Sequence, residues 1–209
     1  HPSVLDDLKL TYEEVKTINS RLIYAHATGY GEQGEETEKP GYDATAWWAR
    51  SGMMDAVRPE EAELALAAPG MGDHPSSLSI VSGIMMALYA RNKTKEGCKV
   101  SSSLMANGIW ANSILVQAAL SENSKFFKTT QATTSNAMVN HYKCSDGRSF
   151  YLALVKEEFE FPLFCDAIGL PELKNDRRFM AIAARRENSI DLVSILNEHF
   201  KQKPLSFWK

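Results

Sequence analysis

Cysteine is scarce in this chain. Cys98, Cys144 and Cys165 are widely spaced, and none forms a C-x-x-C pair. That excludes a dense disulfide framework and a cysteine-based metal site. Three reduced thiols are expected instead, packed as small core residues in a cytoplasmic protein. The five histidines are scattered, with no two at metal-ligand spacing, so no metal site is expected. A formal net charge of −3 lacks the basic footprint of a nucleic-acid binder. No apolar run is long enough to cross a bilayer, and the first residues carry no signal-peptide pattern, so no membrane partner is expected.

What is present is a chain of 209 residues, 44% hydrophobic, enough to bury a core in one large or two small domains. One stretch organises the rest. Gly70-Met71-Gly72-Asp73-His74-Pro75-Ser76-Ser77 is a turn holding a single carboxylate, and an apolar run to Arg91 follows at once. Val81, Ile84, Met85 and Leu88 recur at helical spacing, and Leu78, Ile80 and Met86 widen the face, which predicts a buried helix. Pro75 suits the first helical position. Asp73 then sits just before a helix N-terminus, where the dipole favours an ionised carboxylate by roughly 0.3–1 kcal/mol. Two roles fit: a cap for the helix, or an accessible nucleophile beside free amide donors.

The flanking segments supply context. Thr11-Tyr12-Glu13-Glu14 has the form of a capping box and predicts a brief helix to about Asn19. Arg21 to Thr28 reads as a buried strand ending in a glycine turn. Gly29-Tyr30-Gly31-Glu32-Gln33-Gly34 matches G-x-G-x-x-G literally. The dinucleotide reading is rejected, because the acidic, proline-broken run Glu35 to Pro40 replaces the helix that must face a pyrophosphate. Gly41 to Gly52 predicts a helix capped by Asp43 and packing Trp47 and Trp48 in the core or an interface. Met53 to Pro69 reads as a surface excursion. Lys99 to Ser103 reads as a strand, and Met105 to Leu120 as a second buried helix. Strand and helix thus alternate from Arg21 to Leu120, which argues for an α/β fold with a parallel sheet flanked by helices.

From Ser121 the character changes. Glu122 to Ser135 is polar and rich in serine and threonine, as a linker is. Ser145-Asp146-Gly147-Arg148 is a turn between two short strands, hence a hairpin, and helices follow at about Lys156 to Ile168 and Glu187 to Lys201. The expected organisation is a large domain over 1–121, a linker over 122–135 and a smaller α+β domain over 136–209.

The run from Gly72 to Leu104 resembles the core motif of the class III CoA-transferases, the CaiB/BaiF type that includes formyl-CoA and carnitine CoA-transferases. It stands here as Gly72-Asp73, the apolar helix, Ala87-Leu88-Tyr89-Ala90-Arg91-Asn92-Lys93-Thr94, Gly97, Lys99-Val100 and Ser103-Leu104. Further blocks agree in order: Leu10-Thr11-Tyr12-Glu13, Asn19 to Tyr24, Thr28-Gly29-Tyr30-Gly31, Pro40-Gly41-Tyr42-Asp43 and Asp146-Gly147-Arg148. The related α-methylacyl-CoA racemases are similar, but have histidine where Tyr42 stands and glycines where His74-Pro75-Ser76-Ser77 stand. Trp47 to Gly52 and Gly72-Asp73-His74 look most like the branch acting on 2-hydroxyacyl and arylacyl substrates.

The resemblance implies a Rossmann-like large domain, incomplete here, since family members are about twice this length, as two-domain chains are. Part of the CoA pocket would then lie outside this sequence. The family's glycine-rich lid has no counterpart in Ala132 to Val139. The implied chemistry makes Asp73 the nucleophile, passing through an aspartyl anhydride and an aspartyl-CoA thioester. Tyr42 is carried over as a CoA-site residue, with Gly41 and Lys39 beside it. Gly72, His74 and Ser76 are candidates for lining the substrate and oxyanion site, with backbone amides of His74 to Ser77 as donors. The partners implied are acyl-CoA, small carboxylic acids and a second copy in an interlocked homodimer. The alternatives are a racemase-like isomerase of the same fold and an inactive CoA-binding fragment.

Overall fold

The structure, a computed structural model, describes residues 2–60, 62–121 and 128–209. Two compact units divide the chain, the first covering His1–Arg58 and Ala62–Phe126, the second Pro59–Glu61 and Phe127–Lys209.

The first unit opens with helices α1 (Pro2–Asp7) and α2 (Tyr12–Ile18). Thr11 and Glu14 form the expected capping box: Thr11 Oγ1 accepts from the Glu14 amide while Glu14 reaches back to the Thr11 amide. Strand β1 (Tyr24–Thr28) pairs in parallel with β2 (Lys99–Ser103), Tyr24 opposite Lys99 and Thr28 opposite Ser103. Parallel strands need a long crossover, and here it runs through a π-helix (Asp43–Ala49), α3 (Met53–Ala56) and the 22-residue α4 (Asp73–Thr94). Helices α5 (Leu104–Ala111) and α6 (Ser113–Leu120) follow β2. This is a mixed, parallel α/β arrangement.

Several local expectations need correction. Helix α4 begins at Asp73, with Gly72 as its N-cap, so Pro75 stands third rather than first. Only Ala87 of that helix is buried, and Val81 and Met85 lie exposed, because two strands are too narrow to cover it. The helix expected over Met105 to Leu120 is broken at Asn112, whose carboxamide donates to the Ser51 carbonyl at 3.1 Å. Ile109, Trp110 and Ile114 are exposed there rather than buried. Asp43 does not cap its helix. Tyr42 holds the cap position, its amide donating to Thr45 Oγ1 at 3.0 Å, while both Asp43 carboxylate oxygens are buried without a partner.

The second unit contains the hairpin β3 (Val139–Lys143) and β4 (Ser149–Ala153) and helices α7 (Glu157–Ala167), α8 (Ile182–Glu187), α9 (Ser189–Phe200) and α10 (Leu205–Trp208). The strands are antiparallel, with Val139 opposite Ala153. Met138, Tyr142, Phe161, Cys165, Phe179, Leu192, Leu196 and Phe200 form its core. Burial pushes the Cys165 thiol up to about 11, the Asp166 charge adding to it. Of the expected linker, residues 122–127 lie outside the described residues. The remainder is packed in this unit: Gln131 Nε2 donates to the His141 carbonyl at 2.9 Å, and Ser189 Oγ donates to the Thr134 carbonyl at 2.8 Å.

Candidate active site

The C-terminal ends of both parallel strands open into one cleft of about 370 Å³, within the range of ~300–1,000 Å³ usual for small-molecule sites. Open α/β sheets place ligands at this end of their strands. Ala27 and Thr28 line the cleft from β1 and Gly29 from just beyond it, Ser102 and Ser103 from β2, and Leu104 from the first residue of α5. The start of α4 supplies Asp73, Ser76, Ser77 and Ile80, and the loop after β1 supplies Thr37, Lys39 and Gly41.

Two glycines bring that loop in. A Cβ on Gly29 would lie 2.6 Å from Gly41 Cα, and one on Gly41 would meet Gly29 in return. Only a pair without side chains permits this backbone approach. Further along, Glu32 ties the loop to both strands, its carboxylate 2.5 Å from His26 Nδ1 and 2.7 Å from Lys99 Nζ. Burial alone would raise the Glu32 carboxyl. Hydrogen bonds from Lys99 and His26 outweigh it and hold the group below the usual carboxylate range. Of the literal glycine motif, Gly29 lines the cleft, and Glu32 tethers the turn that follows to both strands.

Of the residues singled out from the sequence, Asp73, Lys39, Gly41 and Ser76 share this cleft. Tyr42, Gly72 and His74 are not among its lining. Tyr42 is 69% exposed. Gly72 is buried against the Trp47 indole, and the His74 imidazole lies over Gly70. The amide expectation is corrected: His74 donates its N–H to the Gly70 carbonyl and Ser76 to the Gly72 carbonyl, each at 3.1 Å, and Pro75 has none. The unspent donor is the Ser76 hydroxyl, whose oxygen is buried with no hydrogen-bond partner. The Asp73 carboxylate remains exposed at the positive end of α4. Thr28, Thr37, Ser102 and Ser103 join the cleft without being singled out as site residues, since neither a lone threonine nor the run Ser101-Ser102-Ser103 marks a ligand contact in sequence.

A carboxylate open to solvent beside a hydroxyl, a lysine and two strand ends can attack a carbonyl and hold an anionic ligand. The family model of CoA-transferase family III matches residues 1–209. The chain belongs to that family. It is 30% identical to the (R)-2-hydroxy-4-methylpentanoate CoA-transferase of Clostridioides difficile over 98% of this chain and 51% of that one. It is 28% identical to the cinnamoyl-CoA:phenyllactate CoA-transferase of Clostridium sporogenes over 95% and 49% respectively. It also superposes with a TM-score of 0.79 and 27% identity on a CAIB/BAIF family protein from Brucella suis, covering 98% of this chain and 53% of that one. The chain therefore spans about half the length of these relatives.

Proposed function

We propose that this chain carries the nucleophile of a CoA-transferase that moves CoA from an acyl-CoA thioester to a carboxylic acid. The observation that carries the reading is the Asp73 carboxylate, exposed at the first residue of a 22-residue helix and lining the cleft that Lys39, Gly41 and Ser76 also line. In the proposed sequence Asp73 attacks the donor thioester carbonyl, forming an aspartyl–acyl anhydride as CoA leaves as thiolate. The thiolate attacks the aspartyl carbonyl, giving an aspartyl-CoA thioester and releasing the donor acid as carboxylate. The acceptor carboxylate then attacks that thioester and expels the thiolate. The thiolate takes the acceptor acyl carbon from the new anhydride, which regenerates Asp73. Each step exchanges one acyl bond for another, so a difficult exchange is divided into easier ones.

Lys39 is assigned to an anionic part of CoA, with Gly41 leaving room for it. Ser76 is assigned the donor that meets the carbonyl oxygen as it gains charge. The names of the C. difficile and C. sporogenes relatives favour 2-hydroxy and aryl-substituted acids as substrates. The racemase reading finds no support in Tyr42, which stands where that subgroup has a proton-transfer histidine. A homodimer in the cytoplasm completes the proposal, the compartment supported by three unpaired thiols.

The test is peptide mass spectrometry after incubation with acyl-CoA esters and quenching with hydroxylamine or borohydride. The longest native polypeptide containing this sequence is used, with Asp73→Asn as control. Modification confined to the Asp73 peptide is expected. Undiminished turnover by Asp73→Asn would overturn the assignment.

A further inference from the structure

The residue before the proposed nucleophile rests on a tryptophan that the reaction scheme does not use. Gly72 has φ −98° and ψ −29°, a conformation open to any residue, so backbone strain does not require glycine here. Space does: a Cβ on Gly72 would overlap Cβ, Cγ and Cδ2 of Trp47. Trp47 belongs to the π-helix Asp43–Ala49. Such segments displace side chains from α-helical register and recur at functional sites.

The indole is held from its other sides. Trp48 stacks on it with ring centroids 6.2 Å apart and planes 8° from parallel. Trp48 Nε1 in turn donates to the Ala65 carbonyl at 2.9 Å. The Trp47 carbonyl accepts from Ser51 Oγ, and a Cβ on Gly108 of α5 would overlap that same carbonyl oxygen. Trp47 itself is 6% exposed, and its Nε1 is buried with no hydrogen-bond partner. The ring is therefore kept in place by shape alone, at the cost of an unpaired N–H, a cost that calls for an explanation.

We infer that Trp47 is a positioning residue for Asp73, the platform that sets the height of the Gly72–Asp73 step and so where the carboxylate meets a bound carbonyl. The inference rests on the transferase reading of Asp73. A misplacement of about 1 Å at a reacting group costs on the order of 100-fold in rate. Gly72→Ala, which pushes the turn off the indole, is expected to lower kcat by about that factor, with KM for acyl-CoA little changed. Trp47→Gly removes all three overlapping atoms, so the pair Gly72→Ala with Trp47→Gly is expected to recover at least about tenfold of the loss. A merely structural contact would lower thermal stability without this kcat-only effect or its rescue.

The second readout needs no turnover: the rate at which a water-soluble carbodiimide and an amine label Asp73, followed by peptide mass spectrometry. It is expected to change in Gly72→Ala and to return toward the parent value in the double variant. Unchanged kcat and labelling in Gly72→Ala, or a loss that Trp47→Gly does not relieve, would overturn the inference. A parent protein without transferase activity whose labelling still follows this pattern would retain the positioning role and reject the transferase reading.

Discussion

Ser76 shows how a residue can be costly to the fold and useful to the site. Its hydroxyl oxygen is buried with no partner, and an unsatisfied buried donor costs about 1–3 kcal/mol. Replacing it by alanine removes that cost, so Ser76→Ala is expected to raise the stability of the first unit by about 1 kcal/mol in urea titrations. If the hydroxyl meets the substrate oxygen as proposed, the same variant loses on the order of 100-fold in kcat. Stability and turnover moving in opposite directions is the expected result. A rate that follows stability upward would remove Ser76 from the chemistry. Lys39 gives a separate prediction. Its ammonium lies 3.1 Å from Glu36 on a largely exposed side chain, a pair of small worth for folding. Lys39→Ala should leave the melting temperature within about 1 °C and raise KM for acyl-CoA, most strongly at low salt, where an exposed charge is least screened.

Among the elements, the start of α7 carries the most consequential charge. Glu157 and Arg185 are nearly inaccessible and 3.2 Å apart, and Arg186 joins them on the other carboxylate oxygen. Arg185 also donates to the Phe179 carbonyl at 2.7 Å and lies 4.3 Å from the Phe161 ring centroid. Burial by itself would raise the Glu157 carboxyl, but hydrogen bonds and charge from Arg186 and Arg185 hold it below the ordinary value. A depressed folded value means that the network stabilises fully above the unfolded glutamate range of about 4.3. That contribution is lost as pH falls through the folded value. Acid unfolding followed by hydrogen exchange in α7 and α8 should show the loss. Glu157→Gln should flatten the acid limb and cost about 3 kcal/mol at neutral pH, since two arginines lose their counter-charge in a buried setting. The loop tether at Glu32 has the same sign: Glu32→Gln should lower hydrogen-exchange protection over residues 30–34 at neutral pH and abolish the further loss of protection in acid.

For the chain as a whole, surface is as informative as core. Helix α4 leaves Leu78, Val81, Met85, Met86 and Tyr89 exposed, the first three and Tyr89 spaced to share one face. An apolar patch of this kind is unusual on a free monomer surface. The 209-residue chain by itself should therefore bind a hydrophobic dye, and the double change Val81→Ser with Met85→Ser should reduce that fluorescence while leaving far-UV circular dichroism unchanged. What the sequence determined by itself is whatever depends on neighbours along the chain. Thr11 and Glu14 stand one helical turn apart, so their capping box is legible. So are the strand Lys99–Ser103, the hairpin around Ser145-Asp146-Gly147-Arg148 and a helix that starts from the turn holding Asp73, although Asp73 is its first residue rather than the one before it. The tertiary structure alone decided which face of α4 is covered, that Asn112 leaves its helix to reach Ser51, and that Lys39 and Asp73 share a cleft. It also decided that Gly72 rests on Trp47. The physical reason is that these features depend on the parallel pairing of Tyr24–Thr28 with Lys99–Ser103. That pairing joins segments about seventy residues apart, and a contact made across such a distance leaves no periodicity or spacing in the residues that make it.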